Sequence, residues 1–425
     1  MAEQFEAEGF EVVPEEEAAD CYVINTCTVT NIADRKSRQF IRRAKKSNPG
    51  AVIAVTGCYS QVKPEDLWAM PEVDVVTGNG DKPQLIELVK EALESDERIY
   101  KVMDYDELCE YNDRGIILNM EGRTRAYIKI EEGCNRFCSY CMIPFARGKV
   151  RSRDPEEVTE EAKALIDNGF KEIVLTGINT ALYGTEPRFR EKYGVAEDGI
   201  ESIIKKINDL PGEFRIRLSS LEPTVVNAEY VKRLMKYPKL CPHLHLSIQS
   251  GSDKVIADMN RHYTRQDYLD IVKVLKEHDP GYGITTDIIV GFPGETEEDF
   301  LETMDVVKKV RYDSAFTFIY SKRTGTPAAT MENQVPEDVV KDRFDRLLKE
   351  VQDISAEVCS VHEGKTMPVL VESQNEHDAS LVTGRMSNNL LVHFPGDETL
   401  IGKIVNVHLT ECKGFYYIGE MESIS

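Results

Sequence analysis

Three cysteines in the segment EGCNRFCSYCMIP have the spacing of a cluster-binding loop. Three residues separate Cys134 from Cys138, and two more separate Cys138 from Cys141. Thiolates this close together can hold a 4Fe-4S cube by three of its irons and leave the fourth iron open for another ligand. A zinc site usually takes four ligands in two pairs, and a disulfide would leave one thiol over, so both are weaker interpretations. Tyr140, between the last two cysteines, argues against ordinary buried cysteines.

The cysteines follow the first of six apolar, strand-like segments, each succeeded by a polar loop and a helical stretch. The segments are AYIKI, EIVLTG, FRIRL, LHLSI, ITTDIIV and AFTFIY, from residue 126 onward. Six such units predict a parallel barrel or partial barrel, in which groups that do chemistry lie on the loops after the strands. Each later loop, taken alone, would also fit a plain turn with a glycine or a helix cap. Their candidate residues are Gly177, Asn179, Ser219, Glu222, Ser247, Gln249, Gly251, Gly291, Glu295, Ser321, Lys322 and Arg323.

Two further regions flank this central region, which covers residues 120–358. Residues 1–115 alternate apolar strand patterns, such as CYVINT and AVIAVTG, with helical patterns, which predicts a doubly wound parallel α/β domain. Val12 and Val13 are expected to open a short strand, and a linker is expected between about 98 and 122, where periodicity is lost. Residues 361–425 contain the segments MPVLVES, NNLLVHFP, IGKIVNVHLT and GFYYIGEM. These short strands predict a small antiparallel β-barrel of a kind that often binds single-stranded RNA.

The composition limits the partners and the location of the protein. Lys and Arg number 52 against 74 Asp and Glu, and the net charge is -22. A general polyanion binder is therefore excluded, and any nucleic-acid site must be a local basic patch. No apolar run approaches the roughly 18 residues of a membrane span, and MAEQFEAEGF lacks the features of a leader. We expect a soluble, cytoplasmic protein without a membrane partner, whose ten cysteines suggest metal before disulfide.

The cysteine triad after the first strand of a six-unit barrel resembles the radical S-adenosylmethionine (SAM) enzymes. The resemblance implies that the open iron binds the amino and carboxylate groups of SAM. It further implies that one electron from the cluster cleaves SAM to a 5'-deoxyadenosyl radical. It also assigns SAM contacts to residues of the loops described above: Tyr140, Gly177, Asn179, Ser219, Glu222, Gln249 and Gly291.

A narrower resemblance covers essentially the whole chain. The segments GCNRFCSYCMIPFARGKVRSR, INTCTVTNIADRKSRQ and VTGCYSQ, followed by the small C-terminal barrel, resemble the tRNA methylthiotransferases, most of all those for N6-threonylcarbamoyladenosine. This resemblance implies a radical SAM core, a C-terminal TRAM domain that grips RNA, a tRNA substrate and an electron-donor protein. One SAM would methylate the sulfur. A second would provide the radical that removes hydrogen from C2 of the adenine next to the anticodon.

The family resemblance also implies a second 4Fe-4S cluster in the N-terminal domain, held by three widely spaced cysteines. Cys27 and Cys58, each just past a buried strand, fit two of these ligands. Cys21 does not fit the third, because six extended residues place it about 20 Å from Cys27. The family pattern has its first cysteine in a strand that precedes the first helix. This chain begins within that helix, so we expect its N-terminal α/β domain to be incomplete. We expect Met1 to be an internal start, an upstream extension to carry that strand, and only one stable cluster in the present chain.

Two basic runs stand out in this acidic chain. The first lies on the helix after Cys27 and predicts a phosphate track, although a solvated helix face would look the same; it comprises Arg35, Lys36, Arg38, Arg42, Arg43, Lys45 and Lys46. The second follows the triad, where RNA is expected to enter, and comprises Arg147, Lys149, Arg151 and Arg153. Two other functions compete with the tRNA enzyme: a ribosomal-protein methylthiotransferase of the same architecture, and a nonenzymatic iron-sulfur RNA-binding module.

Overall fold

The N-terminal part of the chain forms a parallel sheet around strands that are apolar enough to be buried on both faces. The computed structural model describes residues 1–15, 17–28, 31–95, 97–108, 111, 123–194 and 199–424. The four strands of this sheet are hydrogen-bonded in the order β1-β2-β3-β4. Its elements are β1 (Cys21–Thr26), β2 (Val52–Gly57), β3 (Val75–Thr77), β4 (Ile99–Lys101), α1 (Ala2–Ala7), α2 (Asn31–Ser47), α3 (Cys58–Val62), α4 (Pro64–Trp68) and α5 (Leu85–Glu94).

Two expectations for this region are wrong in detail. Val12 and Val13 form no strand; they lie in an irregular segment before Pro14, which has no N–H to give to a strand ladder, and line a cavity of about 390 Å³ beside β1. Strand β4 falls inside the expected linker. It escaped detection because it is a three-residue edge strand with Tyr100 and Lys101 exposed. Most of the remaining expected linker, 109–110 and 112–122, lies outside the described residues.

The central part confirms the predicted partial barrel. Six parallel strands form two three-stranded sheets, and isolated bridges such as Leu221 to Leu246 connect them. Its strands are β5 (Ala126–Lys129), β6 (Glu131–Glu132), β7 (Arg151–Ser152), β8 (Glu172–Thr176), β9 (Arg215–Leu218), β10 (His243–His245), β11 (Gly283–Val290) and β12 (Ser314–Ile319). The barrel strands are β5, β8, β9, β10, β11 and β12, in chain order.

Amphipathic helices cover the outer face of these strands. Among the described residues, five of the helices named below begin at a side chain that accepts a hydrogen bond from one of the first free backbone N–H groups, and Thr264 and Thr296 do so in capping boxes. Apolar residues of strands and helices, such as Ile216 and Ile203, share one buried core. The helices are α6 (Ile143–Arg147), α7 (Pro155–Asp167), α8 (Pro187–Tyr193), α9 (Gly199–Asn208), α10 (Ala228–Leu234), α11 (Asp253–Asp258), α12 (Arg265–His278), α13 (Glu297–Val310), α14 (Pro327–Thr330) and α15 (Glu337–Ser360).

The C-terminal strands close into the expected small barrel, in the order β13-β14-β15-β17-β16. All neighbours are antiparallel except β15 and β17, which pair in parallel. The sequence interpretation missed β14, where Gly384 and Arg385 interrupt the apolar pattern. The strands are β13 (Thr366–Gln374), β14 (Leu381–Met386), β15 (Leu391–Pro395), β16 (Ile404–Cys412) and β17 (Tyr416–Ile424).

The described residues group into two compact units. The N-terminal unit comprises residues up to 111 together with 133–151 and 321–329. The barrel unit comprises 123–132, 152–320 and 330–424 and so includes the C-terminal barrel. The triad therefore folds with the N-terminal sheet, although in sequence it follows the first barrel strand. No helix among the described residues is both long and apolar enough to cross a membrane.

A buried ionic cluster joins the C-terminal barrel to the start of the central strands. Glu172 is fully buried and accepts hydrogen bonds from Arg215 Nε at 2.5 Å and Arg217 Nε at 2.6 Å. The same two arginines donate to the backbone carbonyls of Arg385 and Met386 in β14. Burial by itself would raise the pKa of Glu172, but the charges of these arginines lower it to about 2.

We expect Glu172→Gln to destabilise the protein by about 3–5 kcal/mol, because it leaves buried guanidinium groups without their counter-charge. Since the folded-state pKa is depressed, the stabilising contribution is present above about pH 4.5 and is lost as the pH falls towards about 2. Urea unfolding at several pH values measures both effects. Asp167→Asn is the control, because its ion pair with Lys163 is exposed and contributes less than about 1 kcal/mol. Equal losses in the two variants would contradict the prediction.

Candidate cluster and cofactor site

The triad loop is shaped by backbone hydrogen bonds that bring its cysteines close together. Cys141 N–H donates to the Cys138 carbonyl at 2.9 Å, and Cys134 N–H donates to the Gly148 carbonyl at 3.0 Å. The Ile143 N–H points at Cys141 Sγ, 3.4 Å away. All three cysteines are half-buried. N–H groups directed at ligand sulfurs are one of the ways in which proteins tune iron-sulfur clusters, so the loop suits such a ligand.

The donor set of the loop consists of thiols. Cys134, Cys138 and Cys141 are half-buried and lie on one loop. Each iron of a 4Fe-4S cube takes its own thiolate, so three such cysteines fit a cube that keeps one iron open.

The loop after β8 folds over a buried carboxylate. Glu131 Oε2 accepts hydrogen bonds from the N–H groups of Ile178 and Asn179, both at 2.9 Å. A methyl group at Gly177 would lie 2.7 Å from Glu131 Oε2, so only glycine allows this approach. Burial raises the pKa of Glu131 to about 8, against the lowering effect of the two N–H donors.

Asn179 continues this polar set towards the loop after β9. Its Nδ2 donates to Glu222 Oε2 at 2.8 Å, and Arg261 Nη2 lies 3.9 Å from Glu222 Oε1. Three buried atoms of this set have no hydrogen-bond partner among the described residues: Glu131 Oε1, Asn179 Oδ1 and Ser219 Oγ. Buried polar groups normally find partners. Two acceptors and a hydroxyl left open at the ends of β5, β8 and β9 fit a ligand with several polar groups, as SAM has.

The inner face of the barrel continues with polar and aromatic side chains. Asp287 Oδ2 accepts hydrogen bonds from Ser247 Oγ at 2.8 Å and pairs with His245 Nε2 at 3.1 Å. In register, Asp287 lies beside Phe316, and Ile289 lies beside Phe318. These two phenylalanines are 55% and 50% exposed on the last barrel strand, so their rings are open to a ligand.

The remaining expected SAM contacts do not join this polar set. Gln249 is buried at φ 66°, and its backbone N–H and C=O continue the β11 ladder. Gly291 is explained by packing: it has φ 75°, its N–H donates to Glu295, and a methyl group there would collide with Val340. Tyr140 is half-buried in the triad loop, within the N-terminal unit.

Cys27 and Cys58 lie at one edge of the N-terminal sheet. Each directly follows a strand, and the last residues of those strands, Thr26 and Gly57, pair in register. Cys21 is at the other end of β1, as expected. Cys27 is exposed and Cys58 is buried.

Two donors from other segments of the N-terminal unit surround the Cys58 sulfur. Arg147 Nε lies 3.0 Å from Cys58 Sγ, and Asn79 Nδ2 lies 3.8 Å from it. Asn79 Nδ2 also donates to the Ala146 carbonyl at 2.7 Å. Arg147, in the segment that carries the triad, therefore contacts the Cys58 sulfur. The sequence could not indicate this contact, because 89 residues separate the two partners.

The basic run after the triad is not an RNA-facing surface as a whole. Arg151 is buried and donates to three backbone carbonyls, those of Leu108, Arg147 and Lys149. Arg153 is buried in an ion pair with Glu161. Only Lys149 is exposed. Sequence reasoning counted these charges but had no view of their internal partners.

Sequence reasoning also missed Glu131, Arg261 and Asp287. Two of them had a visible signal: Glu131 comes directly after a barrel strand, and Asp287 is an acidic residue within an apolar strand. Arg261 had none, since it lies between two helices and reaches Glu222 only in the folded chain.

Comparison with known proteins identifies the class of this fold and site. The Radical SAM superfamily model matches residues 128–307, the model of Uncharacterized protein family UPF0004 matches 1–78, and the TRAM domain model matches 360–421. The radical SAM methyltransferase TsrM from Kitasatospora setae shares the fold, with a TM-score of 0.56 and 15% identity over 74% of this chain. The chain spans 66% of that enzyme.

Two curated relatives match almost the whole chain. The tRNA-2-methylthio-N(6)-dimethylallyladenosine synthase of Lachnoclostridium phytofermentans is 43% identical over 96% of this chain and 89% of its own length. The threonylcarbamoyladenosine tRNA methylthiotransferase MtaB of Bacillus subtilis is 41% identical over 97% of this chain and 90% of its own. The chain therefore belongs to the radical SAM tRNA methylthiotransferase family, whose radical SAM core implies a 4Fe-4S cluster and SAM.

Proposed function

We propose that this chain adds a methylthio group to C2 of N6-threonylcarbamoyladenosine next to the anticodon of tRNA. The observation that carries the proposal is the half-buried triad of Cys134, Cys138 and Cys141, in a chain that matches tRNA methylthiotransferases along almost its whole length. The buried, unpartnered atoms of Glu131, Asn179 and Ser219 support it further, since they fit SAM.

The roles of the side chains follow from their geometry. The triad thiolates bind the cluster, which together with SAM supplies the one-electron chemistry that a C–H bond of adenine requires. Glu131 and Asn179 orient SAM through Oε1 and Oδ1, the two buried atoms without a hydrogen-bond partner among the described residues. Arg261 faces Glu222 and donates at 3.0 Å to the Ser247 carbonyl, so it fixes the carboxylate that orients Asn179.

The exposed rings of Phe316 and Phe318 provide the surface on which the target adenine stacks. Base stacking on aromatic side chains contributes about 1–3 kcal/mol per base and needs no particular sequence. Both rings lie on the same face of the barrel strands as Asp287. The TRAM barrel grips the RNA, and an electron-donor protein reduces the cluster.

The N-terminal sheet edge supplies the sulfur chemistry in this proposal. Cys27 and Cys58 would supply two of the three cysteine ligands that a second 4Fe-4S cluster takes in this family, and Arg147 and Asn79 donate to the Cys58 sulfur. Two SAM molecules are used per product: one donates the methyl group to sulfur, and the other is the radical source.

A second candidate substrate is the dimethylallyl-modified adenosine, which the name of the 43% identical relative favours. The motif resemblance and the 41% identical relative support the threonylcarbamoyl substrate. We expect tRNA from a strain lacking this gene to lose the 2-methylthio form of N6-threonylcarbamoyladenosine and to accumulate the unthiolated nucleoside. Mass spectrometry of digested tRNA makes this measurement.

The same digest tests the alternatives. Wild-type complementation must restore the nucleoside, whereas a Cys134→Ala copy must not. Loss of the methylthio-dimethylallyl nucleoside instead would reassign the substrate. A mass change confined to a ribosomal protein would refute a tRNA substrate altogether.

A further inference from the structure

A polar cavity of about 460 Å³ lies on the N-terminal unit between α2 and the pair α3–α4. All the residues that line it belong to the N-terminal unit. One wall is a single face of α2, because residues four apart on a helix lie above one another. The residues around it are Asp34, Arg38, Arg42, Tyr59, Lys63, Asp66, Ala69 and Met70.

The cations of this cavity are placed to receive an anion. Arg42 is 61% exposed, and its pairing with Glu72 is loose, at 3.8 Å. Lys63 is less exposed and lies 3.7 Å from Asp34 Oδ2. Arg38 reaches inward and donates to the Tyr59 hydroxyl at 2.5 Å. Three cations therefore line one cavity, beside Asp34 and Asp66 of the lining and Glu72 next to Arg42, in a chain with a net charge of -22.

A buried oxygen of Asp34 is a second, independent indication that the cavity binds a ligand. Its side chain is 6% exposed, and its Oδ1 atom is buried without a hydrogen-bond partner among the described residues. An ionised carboxylate only accepts hydrogen bonds, so a ligand must bring a donor. A buried acceptor on a carboxylate 3.7 Å from Lys63, in a cavity that Arg42 also lines, therefore fits a molecule that carries both an anionic group and a hydroxyl.

We propose that this cavity binds one ribose-phosphate unit of the RNA substrate, with the phosphate on Arg42 and Lys63 and the ribose 2'-hydroxyl donating to Asp34 Oδ1. The 2'-hydroxyl is the group by which proteins distinguish RNA from DNA. Tyr59, in the cavity wall, directly follows Cys58, so the bound strand passes beside the sheet edge that carries that sulfur. The choice of RNA rests on the proposed function, which by itself does not say where the backbone is held.

The test is binding of an anticodon stem-loop RNA to the full chain, measured by fluorescence anisotropy over a series of salt concentrations. We expect Arg42→Gln and Lys63→Gln each to weaken binding and to reduce the salt slope by about 0.7–0.9 per lost contact. Lys90→Gln is the matched control, since Lys90 is 42% exposed in the same N-terminal unit, pairs with Glu8 and does not line the cavity. It should leave affinity and slope unchanged.

The ribose contact is tested with 2'-deoxy versions of the same stem-loop. We expect wild type to bind the all-ribose RNA about tenfold or more tightly than a version with one deoxyribose at the responsive position, found by scanning. Asp34→Ala should abolish that preference; Asp34→Asn, which keeps Oδ1, should retain part of it. Melting temperatures exclude misfolding.

The outcomes separate this inference from the proposed function. If tRNA is thiolated and bound but Arg42→Gln and Lys63→Gln bind as wild type does, the cavity is not the site. If inorganic phosphate competes at the same cations while no deoxyribose position matters, the cavity is only an anion site and the ribose contact is refuted. Dependence on these residues without any thiolation would uphold the cavity and refute the enzyme. A chain that binds no RNA refutes both.

Discussion

Replacing Cys134, Cys138 or Cys141 with alanine is expected to reduce reductive cleavage of SAM more than about 100-fold. Changes in groups that merely support a metal ligand typically cost 10–100-fold in affinity or activity, and loss of a direct ligand should cost more. Three thiolates are the fewest that fix the cube and leave one iron open to SAM. The measurements are iron per chain and 5'-deoxyadenosine formed under dithionite.

Cys412→Ala is the matched control for this prediction. Cys412 is half-buried, and its sulfur lies 3.4 Å from the Gly414 N–H, as Cys141 Sγ lies from the Ile143 N–H. It belongs to the C-terminal barrel, far along the chain from the triad. The control should keep its iron and its cleavage rate. A triple Cys→Ala triad variant that still cleaved SAM would show that the cluster is held elsewhere.

The sequence was most informative where burial imposes a repeated pattern. The barrel strands were visible because parallel strands buried on both faces, such as β8 with Ile173, Val174 and Leu175, read as apolar runs. Strand β4 and strand β14 were missed because one is a short exposed edge and the other carries Gly384 in an otherwise alternating pattern. Their place in a sheet depends on neighbours far away in sequence.

The residues of the candidate site, like the strands, could be predicted from the sequence only in part. The triad was recognisable because its three ligands lie within eight consecutive residues. Asn179 and Glu222 were expected from strand ends, and they are hydrogen-bonded to each other. The roles of Arg151 and Arg153 could not be predicted, because a charge in a sequence does not reveal that it is buried against internal carbonyls or a carboxylate.

Glu131→Gln is expected to weaken SAM binding about tenfold or more near pH 7.5 and to remove its pH dependence. Burial raises the pKa of Glu131 to about 8, so the free protein mostly carries the protonated acid below that pH. The sulfonium of SAM is a cation, and it favours the ionised carboxylate. Binding therefore releases a proton, and affinity should rise by up to about tenfold per pH unit between about pH 6 and 7.5.

The raised pKa of Glu131 also makes the stability of the SAM-free protein depend on pH. A carboxyl whose folded-state pKa is raised above the unfolded value destabilises the fold progressively as the pH rises from about 4.5 to about 8. Glu131→Gln should lessen that decline, while the amide oxygen still accepts the N–H groups of Ile178 and Asn179. Glu229→Gln is the control: Glu229 is exposed in the same unit and pairs with Lys232 at 2.6 Å, and its variant should bind SAM with the wild-type pH profile. Titration calorimetry at several pH values measures the affinity. A flat wild-type profile, or an unchanged slope in Glu131→Gln, would contradict the assignment of the open Glu131 oxygen to SAM.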